Sequence, residues 1–217
     1  MRAAMRLADS RSPAPLSPSA RQGMGGPMVQ DPAAFVSTDK QRAVTAALFA
    51  SCAALVVRGA VGAHMQLAAA SEAGTVGDAS DLLAYGSLVG AAALGFWLSD
   101  LGVGVFHWSV DNYGSAATPV MGPVINAFQG HHKFPWTITK RQFANNVSTT
   151  CPATMCVTVP LLLLPGMPPA ACVFFGVFSS FVVLSQQCHA WSHMKKSELP
   201  AAVLKGQDWG LLVNPKP

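Results

Sequence analysis

Apolar residues are concentrated in four long stretches of the chain. They cover approximately residues 44–70, 82–110, 147–164 and 169–191. The hydrocarbon core of a bilayer is about 30 Å thick and is crossed by about 20 helical residues, so each stretch is long enough to span a membrane. The pattern therefore predicts an all-α fold, in which residues 41–217 form an integral membrane bundle of about four transmembrane helices.

The composition supports a lipid environment for this bundle. Hydrophobic residues make up 51% of the chain and charged residues only 11%. The charged fraction is less than half of the roughly 25% that is typical of soluble domains. The net charge of +4 is modest. Because the lysines and arginines form no dense run with interleaved aromatic residues, we expect no nucleic-acid partner.

Two charged residues interrupt the apolar stretches. Arg58 lies within the first stretch, where it either extends its guanidinium group to the membrane surface or divides the stretch into two shorter helices. Asp100 lies within the second stretch. It either pairs with Arg58 or a backbone group, or it orients a metal-binding histidine through a hydrogen bond.

The charges of the loops predict the orientation of the bundle. The second and fourth helices run in the same direction, so their ends share one face of the membrane with the connection 111–146; we call this the site face. The basic residues expected there are Lys133, Lys140, Arg141, Lys195, Lys196 and Lys205. The opposite loop, residues 71–81, contains three acidic residues and no basic one. The positive-inside rule therefore places the site face toward the cytoplasm, stroma or matrix.

Five of the six histidines form three clusters, and all three clusters are predicted to lie at the site face. The clusters are His107 with Asp111, His131 with His132, and His189 with His193. Residues four positions apart project from the same side of a helix, so the first and last clusters can each bind metal from one side. Imidazole combined with carboxylate suits iron, zinc or copper better than magnesium or calcium. The sixth histidine, His64, is interpreted as an ordinary interfacial residue.

The connection 111–146 contains a segment that cannot be a plain spanning helix. Residues 129–136 include Gly130 and Pro135, which predict a surface or re-entrant segment folded over the helix ends at the site face. Asn145 and Asn146 precede the third apolar stretch. We expect one of them to cap that helix. The alternative is a hydrogen bond to a ligand histidine.

The beginning of the chain has a different composition. The first 35 residues contain four arginines, many alanines, serines and prolines, and only two acidic residues. A basic, serine-rich and acid-poor segment is typical of an organelle transit peptide, although a plain disordered tail has a similar composition. We predict that residues 1–40 are a disordered targeting segment.

Four segments carry a resemblance to a known family. They are DLGVGVFHWSVDNYG at 100–114, AFQGHH at 127–132, ITKRQFANN at 138–146 and SQQCHAWSH at 185–193. In this order and with these gaps, they resemble the plant fatty acid desaturase 4 proteins. The wider group is the Kua-type lipid desaturase family, which includes the plasmanylethanolamine desaturases.

The resemblance implies a membrane fatty acyl lipid desaturase with a histidine-ligated, non-haem di-iron (Fe) centre. Such an enzyme uses O2 and an electron donor such as ferredoxin to introduce a double bond into an acyl chain of a glycerolipid. For the plant group it implies a multi-pass chloroplast membrane protein whose metal site faces the stroma. The expected substrate is palmitate of phosphatidylglycerol, with a trans-3 double bond as the product.

The resemblance also implies roles for individual residues of this sequence. The iron ligands that it implies are His107, His131, His132, His189 and His193, and Asp111 is implied either as a further ligand or as a hydrogen-bond acceptor that orients one. Asp100, Asn146 and Gln187 are expected to hold these ligands in place.

The end of the sequence departs from the family pattern. The family continues after a segment like QDWGLLV, which is found here at 207–213, into a cluster of the form His-x-x-His-His; this sequence reaches Pro217 without it. We therefore expect an incomplete domain that binds metal weakly or at one position, because the number of ligands sets the affinity. Two alternatives stay open. One is a catalytically inactive truncated paralogue or splice form, and the other is a membrane zinc protein such as a hydrolase or a metal carrier.

Overall fold

The structure is a computed structural model that describes residues 31–75, 77–210 and 212. Most of the predicted targeting segment therefore lies outside the described residues. The described part contains no strand, which confirms the all-α class. Its α-helices are α1 (Asp39–Glu72), α2 (Asp78–Asn112), α3 (Gly122–His131), α4 (Phe143–Val147), α5 (Cys151–Leu163), α6 (Pro169–His193) and α7 (Ala201–Asp208). Short 3₁₀ helices cover Pro32–Phe35, Pro135–Lys140 and Lys196–Glu198.

Three of the helices are long and apolar enough to cross a membrane, namely α1, α2 and α6. The third apolar stretch, residues 147–164, forms α5, which has only 13 residues and is therefore about 20 Å long. It is shorter than the predicted stretch because α4 ends at Val147 and a turn separates it from α5. Pro152 occupies the first turn of α5, where its missing N–H does no harm.

Helix α1 begins with a capping box. The Thr38 hydroxyl accepts a hydrogen bond from the Gln41 backbone N–H, and the Gln41 side chain accepts one from the Thr38 backbone N–H. The helix then continues without a break past Arg58 to Glu72. The alternative of two shorter helices in this stretch is therefore wrong.

Arg58 is half-buried, and it bonds to the end of α5. Its guanidinium group donates hydrogen bonds to the carbonyl oxygens of Leu161, Leu162 and Leu164 at 3.3, 2.7 and 2.5 Å. The last carbonyls of a helix have no partner within the helix, so this arginine stabilises the end of α5. Because its hydrogen bonds go to these carbonyls, the interpretation of Asp100 as the partner of Arg58 is wrong.

Helix α6 lies at the centre of the bundle and packs closely against α1 and α2. A Cβ atom at Gly59 of α1 would lie 2.5 Å from the Pro169 carbonyl oxygen, and one at Gly95 of α2 would lie 2.8 Å from the Phe174 carbonyl oxygen. Small residues of this kind allow helices to approach closely within a bilayer. The Gly59 contact also places Arg58 at the level of the first turn of α6, near a membrane surface rather than the midplane.

The core next to the site face joins α1, α4, α5 and α6. Leu48, Cys52, Val147, Cys151 and Val183 form this buried cluster. The short helix α4 thus packs against α1 and α6 before α5 begins. This packing determines where the polar residues of α4 are placed.

The prediction that an asparagine caps the third apolar helix is wrong. Helix α5 has Thr150 at its N-cap position, and no side chain caps it. Asn145 and Asn146 lie inside α4 and are buried. Asn145 donates to the carbonyl oxygen of Val36 and to the Gln41 side chain, and so attaches α4 to the start of α1.

Candidate metal centre

Five histidines and one aspartate converge where α2, α3 and α6 end. They form two groups of three, in each of which the potential ligand atoms lie within 4.8 Å of one another. The first ligand group is His131, His189 and His193, and the second ligand group is His107, Asp111 and His132. The structure therefore brings together all six predicted metal ligands.

The first ligand group combines the last residue of α3 with two residues of α6 that lie one turn apart. His131 Nε2 is 2.9 Å from His189 Nε2 and 3.3 Å from His193 Nε2. A neutral Nε2 carries either one N–H or one lone pair, so three such atoms facing a common point cannot all pair by hydrogen bonding. Three lone pairs directed at a metal ion satisfy them all. The donor set therefore fits a cation.

The protonation of His131 also suits metal binding. Burial lowers its pKa below the usual value for histidine, and the neighbouring His193, His132 and His107 lower it further. Because a histidine must be neutral to bind a metal, this shift keeps the ligand available at lower pH.

The second ligand group is organised around Asp111. Its Oδ2 atom lies 3.3 Å from His107 Nε2, one turn earlier on α2, and 3.0 Å from His132 Nε2. Its Oδ1 atom is buried and has no hydrogen-bond partner among the described residues. A buried carboxylate oxygen without a partner is costly, and a cation between these side chains would remove that cost.

The two ligand groups are adjacent. His131 and His132 are neighbours in sequence, so the end of α3 and the residue that follows it supply one histidine to each group. The rings of His107 and His189, which belong to different groups, have centroids 5.2 Å apart. This arrangement is suited to two metal ions side by side.

Asp100, Asn146 and Gln187 were predicted to hold the ligands in place, and the structure brings Asn146 and Gln187 into contact. Asn146 Nδ2 donates to Gln187 Oε1 at 2.9 Å and to the Gln186 carbonyl oxygen at 3.2 Å. Both contacts are on α6, in the turn before His189. Asn146 Oδ1 is buried and has no hydrogen-bond partner among the described residues. The asparagine thus holds the α6 backbone next to a ligand rather than contacting a ligand itself.

Asp100 is separate from both ligand groups. It lies seven residues before His107, or about 10 Å along α2, and its side chain faces a cavity. It interacts electrostatically with Cys188, the residue before His189. The prediction that Asp100 orients a ligand histidine stays a prediction.

Two further residues near the ligands were not predicted. The Phe128 ring lies 4.9 Å from the His107 ring, and the two rings are nearly perpendicular. Gln129 donates to the Val110 carbonyl oxygen, which attaches α3 to the end of α2. Both belong to the AFQGHH segment, but nothing in their residue type alone indicates contact with α2.

An apolar cavity of about 1610 Å³ lies between α2 and α6. His107, Asp111 and His189 line it near the site face, and Phe96 and Phe178 line it at the other end. The first turn of α5 and residues of α3 and α7 complete its walls. Ligand-binding cavities are typically mostly apolar with a few polar groups at the reacting end, and this cavity has that distribution.

Comparison with known families agrees with this geometry. The model of the lipid desaturase domain matches residues 96–217, which is 122 of the 217 residues and more than half of the chain. The chain belongs to the lipid desaturase family. The matched lipid desaturase domain contains the residues of both ligand groups and the lining of the cavity. It also contains the supporting residues Asn146 and Gln187.

Curated relatives lie in the same family. The chain is 50% identical over 126 residues to fatty acid desaturase 4-like 1, chloroplastic, from Arabidopsis thaliana, which is 58% of this chain and 42% of that protein. It is also 50% identical over 127 residues to fatty acid desaturase 4, chloroplastic, from the same plant, covering 57% of this chain and 38% of that protein.

A bacterial relative is more distant. The plasmanylethanolamine desaturase of Myxococcus xanthus is 32% identical over 111 residues, which is 49% of this chain and 40% of that protein. The lipid desaturase chain described here thus spans less than half of the length of each of these relatives. No solved structure matches it.

Proposed function

We propose that this chain acts as a membrane fatty acyl lipid desaturase whose two ligand groups each bind one iron ion. The observation that carries the proposal is the position of the two groups, side by side at one end of an apolar cavity. Histidine and carboxylate ligands suit iron. Bound iron would supply the activation of O2 that is needed to remove hydrogen from an unactivated methylene, which side chains cannot do alone.

The protein's own residues bind the acyl chain and exclude water from it. The walls of the cavity are mostly apolar between α2 and α6, so a saturated chain is bound there by the hydrophobic effect. In the overall reaction, two neighbouring methylenes become a double bond, and O2 receives their two hydrogens, two electrons and two protons to form two waters. The electrons come from a donor, for which we propose a protein such as ferredoxin.

The depth of the site supports a double bond near the carboxyl end of the acyl chain. The ligands belong to the last two turns of α2 and α6 and to the end of α3, which we take as the level where α2 and α6 leave the membrane. The ester groups of a glycerolipid lie at the same level, while its acyl chains extend inward. The resemblance to the plant fatty acid desaturase 4 proteins implies a specific reaction of this kind, and we propose palmitate of phosphatidylglycerol as the substrate and the trans-3 alkene as the product.

The names of the relatives and the charges of the loops support a proposal for the location. The names of the plant relatives include the word chloroplastic, and the exposed lysines at 133, 140, 195, 196 and 205 lie in the segments next to the ligands. We propose a multi-pass chloroplast membrane protein with its metal centre facing the stroma.

The test is expression of the chain in a host whose membranes contain phosphatidylglycerol with palmitate. Lipids are analysed by gas chromatography and mass spectrometry, and iron and zinc are measured in the purified protein. We expect iron in the protein and the trans-3 alkene in the lipid. His131→Ala and His189→Ala should abolish the product, since each removes a ligand of the first group.

His64→Ala is the matched control, because His64 contacts Tyr85 and lies far from both ligand groups. It should keep the product at the wild-type level. Zinc in place of iron would favour a membrane zinc protein instead. A chain that inserts but changes no lipid would favour the non-enzymatic alternative.

A further inference from the structure

Two aromatic rings meet toward the end of the cavity that lies farther from the ligands. Phe96 of α2 and Phe181 of α6 both line the cavity, and their rings meet edge to face with centroids 4.8 Å apart. We call this pair the cavity floor. Close helix packing lies immediately beyond it, because a Cβ atom at Gly95 would approach the Phe174 carbonyl oxygen to 2.8 Å and the Phe178 backbone nitrogen to 3.2 Å. A hydrocarbon chain cannot pass between backbones at this distance.

The floor lies at a definite depth below the ligands. Phe96 precedes His107 by eleven residues on α2, and Phe181 precedes His189 by eight residues on α6. At about 1.5 Å per residue, the two helices give depths of about 16 Å and about 12 Å. Half of a hydrocarbon core of about 30 Å is about 15 Å. The floor thus lies at about the depth of one leaflet, the space that one acyl chain of a membrane lipid occupies.

The face of α2 between floor and ligands is mainly apolar. Phe96, Val103 and His107 project from the same side of α2, since their separations are close to whole numbers of helical turns. Asp100 projects from this side as well and lies one turn above the floor. A chain that enters with its carboxyl end near the ligands therefore extends along this face, and its methyl end meets the floor.

We propose that Phe96 and Phe181 set the length of the acyl chain that the enzyme accepts. The proposal rests on the proposed function and adds to it the residues that select the substrate. A chain that is too long meets the two rings before its reacting carbons reach the ligands. A chain that is too short leaves the space above the floor empty. A hydrophobic pocket discriminates one methylene by roughly 10–200-fold, so a floor of this kind is a sufficient selector.

The test uses variants that lower or raise the floor. The double variant Phe96→Ala/Phe181→Ala removes both rings and should increase the ratio of desaturated stearate to desaturated palmitate by about tenfold or more. Phe96→Trp enlarges one ring and should shift the product toward myristate. In both cases the double bond should stay at the same position counted from the carboxyl carbon, because that end is placed by the ligands.

Two controls separate chain selection from damage to the fold. Phe175→Ala removes a ring of the same size from α6, but Phe175 contacts Phe174 and does not line the cavity. It should leave the chain-length ratio unchanged. Iron content is measured for each variant. In addition, the acyl chains of lipids that copurify with each protein are determined by mass spectrometry, which does not require turnover.

The outcomes distinguish this inference from the proposed function. If the wild type makes the product and the floor variants leave the chain-length ratio unchanged, the floor is not the selector and the proposed function stands. If the wild type makes no product but the copurifying chains become longer in the double variant, the floor is supported and the proposed function fails. An equal shift in Phe175→Ala would overturn the role of the floor.

Discussion

At the scale of the residue, Asp111 connects the structure to its chemistry. One carboxylate oxygen contacts two histidines that lie on different elements, and the other is buried without a partner in the described part of the chain. A lone carboxylate in this state would be destabilising, so the arrangement is consistent with a cation in the second ligand group. The first ligand group contains no carboxylate, which makes the two groups separable by mutation.

The substitution Asp111→Asn tests this separation. It keeps the shape of the side chain but removes its charge, so it should lower the iron content by about half through loss of the second ion. The first ligand group should keep its ion, and desaturation should stop. Metal analysis of the purified variant, together with lipid analysis of the host, checks the prediction.

The control for this substitution is Asp39→Asn, which changes a fully exposed carboxylate at the start of α1. It should leave both iron content and product unchanged. An Asp111→Asn protein with the full wild-type iron content would show that Asp111 is not a ligand.

Asn146 shows how far residue type predicts a role. Its position before an apolar stretch indicates a helix cap, but the structure places it inside α4, where it donates to the Gln187 side chain and the Gln186 carbonyl oxygen. The sequence contains no local signal for this contact, because the partners lie 40 and 41 residues away. The contact exists only because α4 packs against α6.

At the scale of the element, α5 is the helix that the apolar pattern describes least well. The pattern predicts one helix over 147–164, whereas the observed helix starts at Cys151 and includes Pro160 in its interior. Its last carbonyls are bonded to Arg58 of α1. A short helix whose end is stabilised by a charged side chain from another helix is therefore part of the bundle without being long enough to span it alone.

Replacing Arg58 with Met should destabilise the bundle at the end of α5. Three carbonyl groups would lose their donors, and a hydrogen bond to a charged group contributes about 1.5–3 kcal/mol. We expect a lower temperature of thermal unfolding in detergent. Arg58→Lys should be intermediate, because one ammonium group cannot reach all three carbonyls as a planar guanidinium group can.

Arg42→Met is the matched control for this experiment. Arg42 forms an exposed ion pair with Asp39 in the first turn of α1, and exposed pairs contribute about 0–1 kcal/mol. Equal thermal stability of Arg58→Met and Arg42→Met would show that the contacts to α5 do not stabilise the bundle.

At the scale of the whole molecule, the central feature is the convergence of three histidine clusters at one end of the bundle. The prediction of a shared face depended on counting membrane crossings, and the ring-to-ring distances confirm that the clusters meet. The same counting predicts that the loop after α1 and the segment after α6 lie on opposite sides of the membrane. The charges of the two segments agree with this prediction.

Cysteine labelling tests the orientation. In a background with the exposed Cys156 replaced by Ser, Glu72→Cys and Lys196→Cys are labelled in sealed vesicles with a maleimide that does not cross membranes. We expect only one of the two to react in vesicles of one orientation, and both to react after detergent is added. Reaction of both in intact vesicles would contradict the proposed crossing of the membrane by α2 and α6.

The sequence by itself determined the all-α class and the apolar helices, and it singled out the five histidines and one aspartate that the structure brings together. The class and the helices depend on local features, because apolar length determines what can cross a bilayer. The helical period pairs His107 with Asp111 and His189 with His193, whereas the full set of metal ligands is implied by the family resemblance. Only the tertiary structure decided how the ligands divide into two groups, where Arg58 and Asn146 find their partners, and how deep the cavity is. Each of these depends on the packing of helices that are far apart in the chain, which no local pattern encodes.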